Sequence, residues 1–563
     1  MFGKNSQLFF TMANSNQKHL QFAIVLVFIV VYANTMATVR SPKKLKFLFY
    51  TASDEGSHHL MAKQIATALV RSGHDVTFLL SNSCTKWLNA SDASLFDFTV
   101  HKSKFTENDR VENLRELSRA SLRGDTSSIW RMVLHVWRKK LTSNESDMYT
   151  NFFATECESL LGDNDTINSL REKKFDMLVG EELSSCQPLL AKILGIKFSL
   201  ISGIGSSPAK GMWYGLPSHP AYIPDRQSGL TDRMTFLQRL KSCFLYGVHM
   251  LARRQMLMKY RTIQEAYDLS PEKSMVDMMA EAQIWVFTVS FELDLARPLT
   301  PNVIFTASPL LGIPSEHKIS EDLQEFLDGA NEEGVVLFSL GGHVNEMESA
   351  QAQMFANALA RLPQRVLWQF SGNISRIRIG NNIKTVKWMP QQEVMDHPNT
   401  KMFLSHGGLN GVHEAAWYGL PVVGIPLFGD QFDNMERAEA KGMAIKLDIL
   451  TLNEDVLVEA ITRVIKEPRF RERAQHISRM LRDQLLIPSE KAAFWISHVT
   501  KYGGEHLRPR SANLTWIQNN LIDVYAFLGA ILLVVSGLLF LVCRVCFVVL
   551  RDMCKRREKL KIT

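Results

Sequence analysis

The residues best suited to chemistry lie between Trp388 and Gln431, where the chain reads WMPQQEVM and then SHGGLNGVHEAAWYGLPVVGIPLFGDQ. SHGG at the end of an apolar run opens a helical pattern, so His406 and the amides of Gly407 and Gly408 face whatever lies beyond a strand. Free amides and a helix dipole attract an anion, and glycines let a phosphate approach the backbone. Glu414 falls four residues after Asn410, one turn deeper on the same face, where a carboxylate could accept ribose hydroxyls. Trp388 offers a flat face for stacking a base. Asp430 and Gln431 offer an acceptor and a donor for sugar hydroxyls. Together these residues describe a pocket for a nucleotide sugar.

The order W-x-P-Q, H-G-G-x-N-G-x-x-E and P-L-F-x-D-Q resembles the signature of UDP-glucuronosyltransferases and related UDP-glycosyltransferases. Weaker similarity runs along nearly the whole chain in EGSHHL, MTFLQRLK, LTPNV, VLFSLGG, HLR and LTW. The resemblance implies that Trp388 and Gln391 hold uracil and ribose, and that His406 and Gly408 hold the diphosphate. Asn410 would support that loop, Glu414 would bind the ribose, and Asp430 and Gln431 the transferred sugar. It also implies a catalytic histidine after the first strand, which falls on His58 of Gly56-Ser57-His58. A base is needed to take the acceptor's proton, and imidazole suits that near neutral pH. His59 stands where the family more often has Trp. The histidine's carboxylate partner, Asp in vertebrate members, falls on Glu181 of Phe175-Asp176-Met177-Leu178-Val179-Gly180-Glu181, with Glu182 as competitor and Asp176 read as a structural cap. Gly342 replaces a frequent Ser and Gln369 a frequent Arg, which bears on the choice of sugar.

The elements that must position these residues follow from periodicity. Strands are expected at 45–50, 76–80, 175–179 and 197–202, with helices at 58–71 and 188–194 between them. Four prolines, Pro298, Pro301, Pro309 and Pro314, mark a boundary. Beyond it strands are expected at 335–340, 365–370, 383–388, 401–405 and 421–426, with helices at 346–361 and 410–418. Two Rossmann-like α/β halves facing across a cleft result, a GT-B-like fold. The expected division is a signal peptide over 1–37, an acceptor-binding domain over 38–300, a linker over 301–331 and a UDP-sugar-binding domain over 332–510. A transmembrane helix over 524–543 and a cytosolic tail over 544–563 complete it.

The compartment follows from two apolar segments. Phe22 to Tyr32, with Lys18 and His19 before it and small residues up to Thr38 after it, has the layout of a secretory signal cleaved after Ala37. Val524 to Cys543 holds 20 uncharged residues, enough for about 30 Å of bilayer. The tail from Arg551 to Thr563 has six basic and two acidic residues, so the positive-inside tendency makes it cytosolic and the body lumenal. Of the net charge of +7, +4 therefore lies in the tail, which leaves no basic stripe for nucleic acid. Sequons at Asn89, Asn144, Asn164, Asn373 and Asn513 lie on the lumenal side. Lys559 and Lys561 match a dilysine retrieval signal, which points to the endoplasmic-reticulum membrane.

Seven cysteines are few. One disulfide among Cys84, Cys157, Cys186 and Cys243 is compatible with the spacing, without choice of pair. Cys543 and Cys546 read as membrane-flanking thiols. Asp163-Asn164-Asp165 overlaps a sequon and reads as surface, and Gly203-Ile204-Gly205 reads as a turn. The stretch from Thr235 to Arg261 reads as a packed helix of the first domain, with a helix lying on the membrane as the alternative.

The expected function is inverting, metal-independent transfer of a sugar from a UDP donor to small lipophilic acceptors. Glucuronic acid leads as the sugar and glucose follows. The rival of another class is a UDP-sugar-binding membrane subunit without turnover. No cofactor is expected beyond the UDP-sugar co-substrate, and a homo-oligomer stays open.

Overall fold

The computed structural model describes residues 43–51, 56–84, 90–124, 148–205, 207–313, 319–342, 344 and 347–560. The expected signal peptide and the sequons at Asn89 and Asn144 lie outside the described residues, as do Lys561 and the side chain of Lys559.

Two wholly parallel sheets form the body. The first holds β1 (Lys46–Tyr50), β2 (Asp75–Ser81), β3 (Asp97–His101), β4 (Met177–Glu181), β5 (Lys197–Ser202), β6 (Trp285–Phe287) and β7 (Val303–Phe305), in the order β3-β2-β1-β4-β5-β6-β7. The second holds β8 (Val335–Ser339), β9 (Arg365–Gln369), β10 (Ile383–Val386), β11 (Thr400–Ser405), β12 (Val422–Gly424) and β13 (Ala444–Lys446), in the order β10-β9-β8-β11-β12-β13. Each order reverses once, between β1 and β4 and between β8 and β11. Open parallel sheets bind ligands at such reversals, beyond the strands' C-terminal ends.

The strands are short and apolar because helices cover both of their faces. Phe47, Phe49, Phe78 and Val286 pack on one side of the first sheet, and Leu48, Leu178, Leu200 and Trp285 on the other. The helices that matter here are α1 (Gly56–Arg71), α2 (Met148–Gly162), α3 (Gln187–Leu194), α4 (Phe236–Ala266), α5 (Glu321–Asp328), α6 (Leu409–Trp417), α7 (Gln431–Ala440), α8 (Pro488–Tyr502) and α9 (Ile522–Leu560). In α1, Met61, Ala62, Ile65, Ala66 and Leu69 recur at helical spacing and are buried. Gly73, at φ +86°, lets the chain turn back into β2.

The proline-bearing stretch after residue 300 contributes to both halves. Val303–Phe305 is the edge strand β7 of the first sheet, and Leu323 and Leu327 of α5 are buried with the core of the second. The chain then crosses back, since Ala492, Ala493, Ile496 and Val499 of α8 fill the first sheet's core beside α1. Cys157 of α2 is bonded to Cys186, at the start of α3, with a Cα–Cα distance of 5.5 Å. The expected surface triplet is exposed only at Asn164 and Asp165; Asp163 is buried and caps a helix by accepting from the Thr166 amide. Asn164, Asn373 and Asn513 are exposed.

The helix expected over 235–261 forms as α4, but it is not packed all round. Leu245, Leu257 and Tyr260 are buried, whereas Phe236, Leu237, Leu240, Phe244 and Leu251 face outward. Helix α9 runs beyond the expected span, and its Ile522–Lys555 portion is long and apolar enough to cross a membrane.

Candidate functional site

One cavity of about 690 Å³ opens between the two reversals and takes lining from both halves, including His58 from the first and Trp388, Gln391, His406, Gly408, Asn410, Glu414, Asp430 and Gln431 from the second. The strand order alone explains this meeting. His58 is in the first turn of α1, just after β1, and Glu181 ends β4, its neighbour across the first reversal. His406 follows β11, beside β8 across the second.

His58 Nδ1 lies 2.8 Å from Glu181 Oε1, with the carboxylate buried and the ring at the cavity wall. A Cβ at residue 203 would stand 2.9 Å from His58 Nδ1, so Gly203 in the turn after β5 leaves the ring its place. Gln187 of α3 donates from Nε2 to the Glu181 carbonyl at 2.5 Å, fixing the strand's end. Glu182 has another partner. Its Oε1 accepts from the buried ammonium of Lys210, whose pKa burial pushes down to about 8 against the pull of Glu182. His59 points into the core and packs on Phe78 at 5.2 Å. Asp176 accepts from the Lys46 amide at 2.9 Å and ties strand ends together.

On the opposite wall, the His406 ring lies against the backbone of Gly341 and Gly408, where a Cβ would come within 2.7 and 2.5 Å of it. Gly408 caps α6, so that helix's first amides open at the cavity. Asn410 Oδ1 accepts from Ser308 Oγ at 2.8 Å, tying the helix start to the segment joining the halves. Glu414 accepts from Gln391 Nε2 at 2.5 Å and from Gln392 Nε2 at 3.0 Å, and burial raises its pKa to about 7 despite both bonds. Gln431 Oε1 accepts from the amides of Leu427 and Phe428, so its oxygen holds the preceding loop. Asp430 Oδ2 accepts from Asn434 Nδ2 at 2.8 Å. Trp388 is 67% exposed and lines the cavity.

Several residues of the site escaped the sequence reading. Gln392 shares Glu414 with Gln391 and also donates to the Leu310 carbonyl at 3.0 Å, and the doubled Gln in MPQQ was its only signal. Gln369, already noted for its departure from the family pattern, accepts from Ser339 Oγ at 2.8 Å at the cavity wall. Asp433 and Arg437, one turn apart on α7, reach the first half: the Gln227 amide donates to Asp433, and Arg437 pairs with Asp294.

The family model described as "UDP-glucoronosyl and UDP-glucosyl transferase" matches residues 47–560. The human protein "2-hydroxyacylsphingosine 1-beta-galactosyltransferase" is 34% identical over 485 residues, covering 85% of this chain and 84% of that protein. Human "UDP-glucuronosyltransferase 2B15" is 33% identical over 521 residues, covering 90% and 94%. Among solved structures, a glycotransferase of kitacinnamycin superposes with a TM-score of 0.55 at 17% identity, over 81% of this chain and 99% of that one. The calicheamicin glycosyltransferase CalG4 gives 0.53 at 17%, over 82% and 99%. The likeness to these structures is one of GT-B fold.

Proposed function

Because this chain belongs to the UDP-glucoronosyl and UDP-glucosyl transferase family, whose members transfer sugar from UDP, we propose that it carries out an inverting transfer to small lipophilic acceptors with His58 as base. The observation that supports this most is the His58–Glu181 pair at 2.8 Å, facing the nucleotide-type wall across one cavity. In this reading the acceptor oxygen attacks the anomeric carbon while His58 removes its proton. The bond from that carbon to the UDP oxygen breaks on the far side. Glu181 orients the imidazole and balances the imidazolium's charge. The α6 amides and His406 meet the charge gathering on the departing diphosphate, in place of a metal ion. Trp388 stacks uracil, Gln391 and Glu414 take the ribose, Asn410 braces the loop, and Asp430 and Gln431 meet the sugar. The same pair argues against a binding subunit without turnover.

Glucuronate is the first reading of the sugar, from the likeness to UDP-glucuronosyltransferases. Glucose is the second, and one observation favours it: Asp430 and the amides of Gln369, Gln391 and Gln431 line this wall, groups that suit hydroxyls better than a carboxylate. The half built on the first sheet, with β7 and α8 included, serves the acceptor, and the half built on the second sheet serves the donor. The body lies in the lumen of the endoplasmic reticulum, anchored by α9 as a single-pass type I protein with glycans on its sequons. Assaying membranes that contain the chain with radiolabelled UDP-glucuronic acid and UDP-glucose, against mixed phenols and steroids, with and without chelator, tests the transfer, its donor and its independence of metal. Product with either donor in chelator is the expected result. Turnover that vanishes in chelator and returns with manganese would overturn the metal-free mechanism, and donor binding without product would favour the subunit.

A further inference from the structure

Helix α4 carries a row of exposed apolar side chains that the functional site does not explain. Phe236, Leu237, Leu240, Phe244, Leu251 and Met258 are 57–72% exposed. At 100° per residue they fall within an arc of roughly 100°, a single stripe about 33 Å long. A soluble domain rarely leaves so many large apolar side chains in one row facing water. The opposite face is well seated. Leu245 and Leu257 are buried, and Ser242 donates to the Pro220 carbonyl at 2.7 Å. The outward placement therefore belongs to a docked helix.

Charge and position narrow the occupant. Arg239, Lys241 and Arg254 flank or interrupt the stripe, and no acidic residue occurs from Phe236 to Arg261. An apolar stripe with basic residues alone suits the boundary between lipid headgroups and acyl chains. The candidate membrane span is also close by. Arg253 of α4 donates to Ser207 Oγ at 3.3 Å and lies over the Trp213 ring. Two residues beyond Trp213, the Gly215 carbonyl accepts from Ser511 Oγ at 3.0 Å, in the segment that leads into α9. Ile522 follows Ser511 by only eleven positions, a reach of at most about 36 Å.

We propose that the outer face of α4 lies on the bilayer that α9 crosses, a second membrane contact that holds the first domain down beside its anchor. It does not depend on the sugar chemistry; it rests on α9 spanning the bilayer.

The test uses the full chain in phosphatidylcholine–phosphatidylserine proteoliposomes. Cys243, Cys543, Cys546 and Cys554 are changed to Ser, and single nitroxide-labelled cysteines are placed at Leu237, Leu240 or Leu251. Control labels go at Leu532 in α9 and at the exposed Glu505. Collision rates with oxygen, which partitions into lipid, and with a nickel chelate, which does not, give each label's depth. The expected result is oxygen preference at the three α4 sites and at Leu532, with nickel preference at Glu505. Nickel preference on α4 with oxygen preference at Leu532 would overturn the proposal while leaving the anchor intact. Shielding of α4 labels from both reagents, with spin–spin broadening that disappears on dilution into excess lipid, would overturn it in favour of a second copy. Nickel preference at Leu532 would remove the anchor and the proposal with it. Because the substituted side chains face outward, melting temperatures within about 2 °C of the parent chain establish that each labelled protein is folded.

Discussion

The backbone amide of Gln227 donates to Asp433 Oδ1 at 2.9 Å, joining two residues 206 positions apart and on opposite halves. Three residues before Asp433, the same α7 begins at Asp430 and Gln431, the proposed sugar contacts. One turn further, Arg437 Nε lies 3.1 Å from Asp294 Oδ1, which Arg297 also meets at 3.0 Å. Burial works against the Asp294 carboxylate, but the two guanidinium groups prevail and hold its pKa below the usual range. The helix that carries the proposed sugar contacts is thus fastened to the half that carries His58. Arg437→Met should loosen that registry and lower the turnover of transfer roughly tenfold, while UDP affinity stays within about twofold. Steady-state kinetics beside calorimetric UDP titration checks this, and Arg437→Lys should recover part of the loss.

The neighbouring pairs His58–His59 and Glu181–Glu182 should separate catalysis from stability. His58→Ala should lower turnover about 10²-fold or more with UDP binding unchanged. Glu181→Gln should lower turnover too, since it removes the charge that favours the imidazolium. His59→Ala should leave turnover near normal and cost stability instead, because its ring packs on Phe78. Glu182→Gln leaves the Lys210 ammonium buried without its carboxylate and should lower stability by roughly 3 kcal/mol. A His58→Ala enzyme with near-normal turnover at saturating donor and acceptor would end the base assignment.

Glu414 makes a pH prediction. Its carboxyl holds a proton up to about pH 7 when folded, against an ordinary 4.5. A raised acid binds its proton more tightly in the folded state, so stability is lost as pH rises from about 4.5 through 7. The full cost, at pH 8, is on the order of 3 kcal/mol. Glu414→Gln should therefore melt higher than the parent at pH 8 and gain nothing at pH 4. It should also raise the apparent donor KM, since a carboxylate that accepts ribose hydroxyls is gone. Equal melting shifts at both pH values would refute the ionisation argument.

Joining α2 to the start of α3, the Cys157–Cys186 bond closes onto the segment just after Glu181. Cys157→Ala, Cys186→Ala should lose about 3 kcal/mol of stability. The parent melted in strong reductant should lose a similar amount, and the double variant should be indifferent to reductant. Thermal melts with and without dithiothreitol decide it.

Much of this arrangement was legible in the residues. Long apolar runs such as Val335–Ser339 and Lys197–Ser202 announce buried parallel strands, and SHGG announces a helix opening at a ligand. The three-residue strands at Trp285, Val303 and Ala444 were not legible, because such short runs are held by their neighbours in the sheet rather than by any periodicity of their own. The contest between Glu181 and Glu182 was also closed to the sequence. Strand alternation sends adjacent side chains to opposite sides, but only the fold brings Lys210 to one and His58 to the other. The outward face of α4 was hidden for a different reason: an apolar stripe reads the same whether it meets a core or a membrane.

Helix α8 carries a consequence for any attempt to recombine relatives of this enzyme. Its residues belong by sequence to the second half, yet Ala492, Ala493, Ile496 and Val499 complete the core of the first. A chimera joined near residue 310 would pair one parent's first half with another parent's closing helix, and the seam would run through a hydrophobic core instead of a loop. The modules that can be exchanged intact are therefore not the two stretches of chain. One is the first half together with its distant closing helix, and the other is the second half that the two enclose.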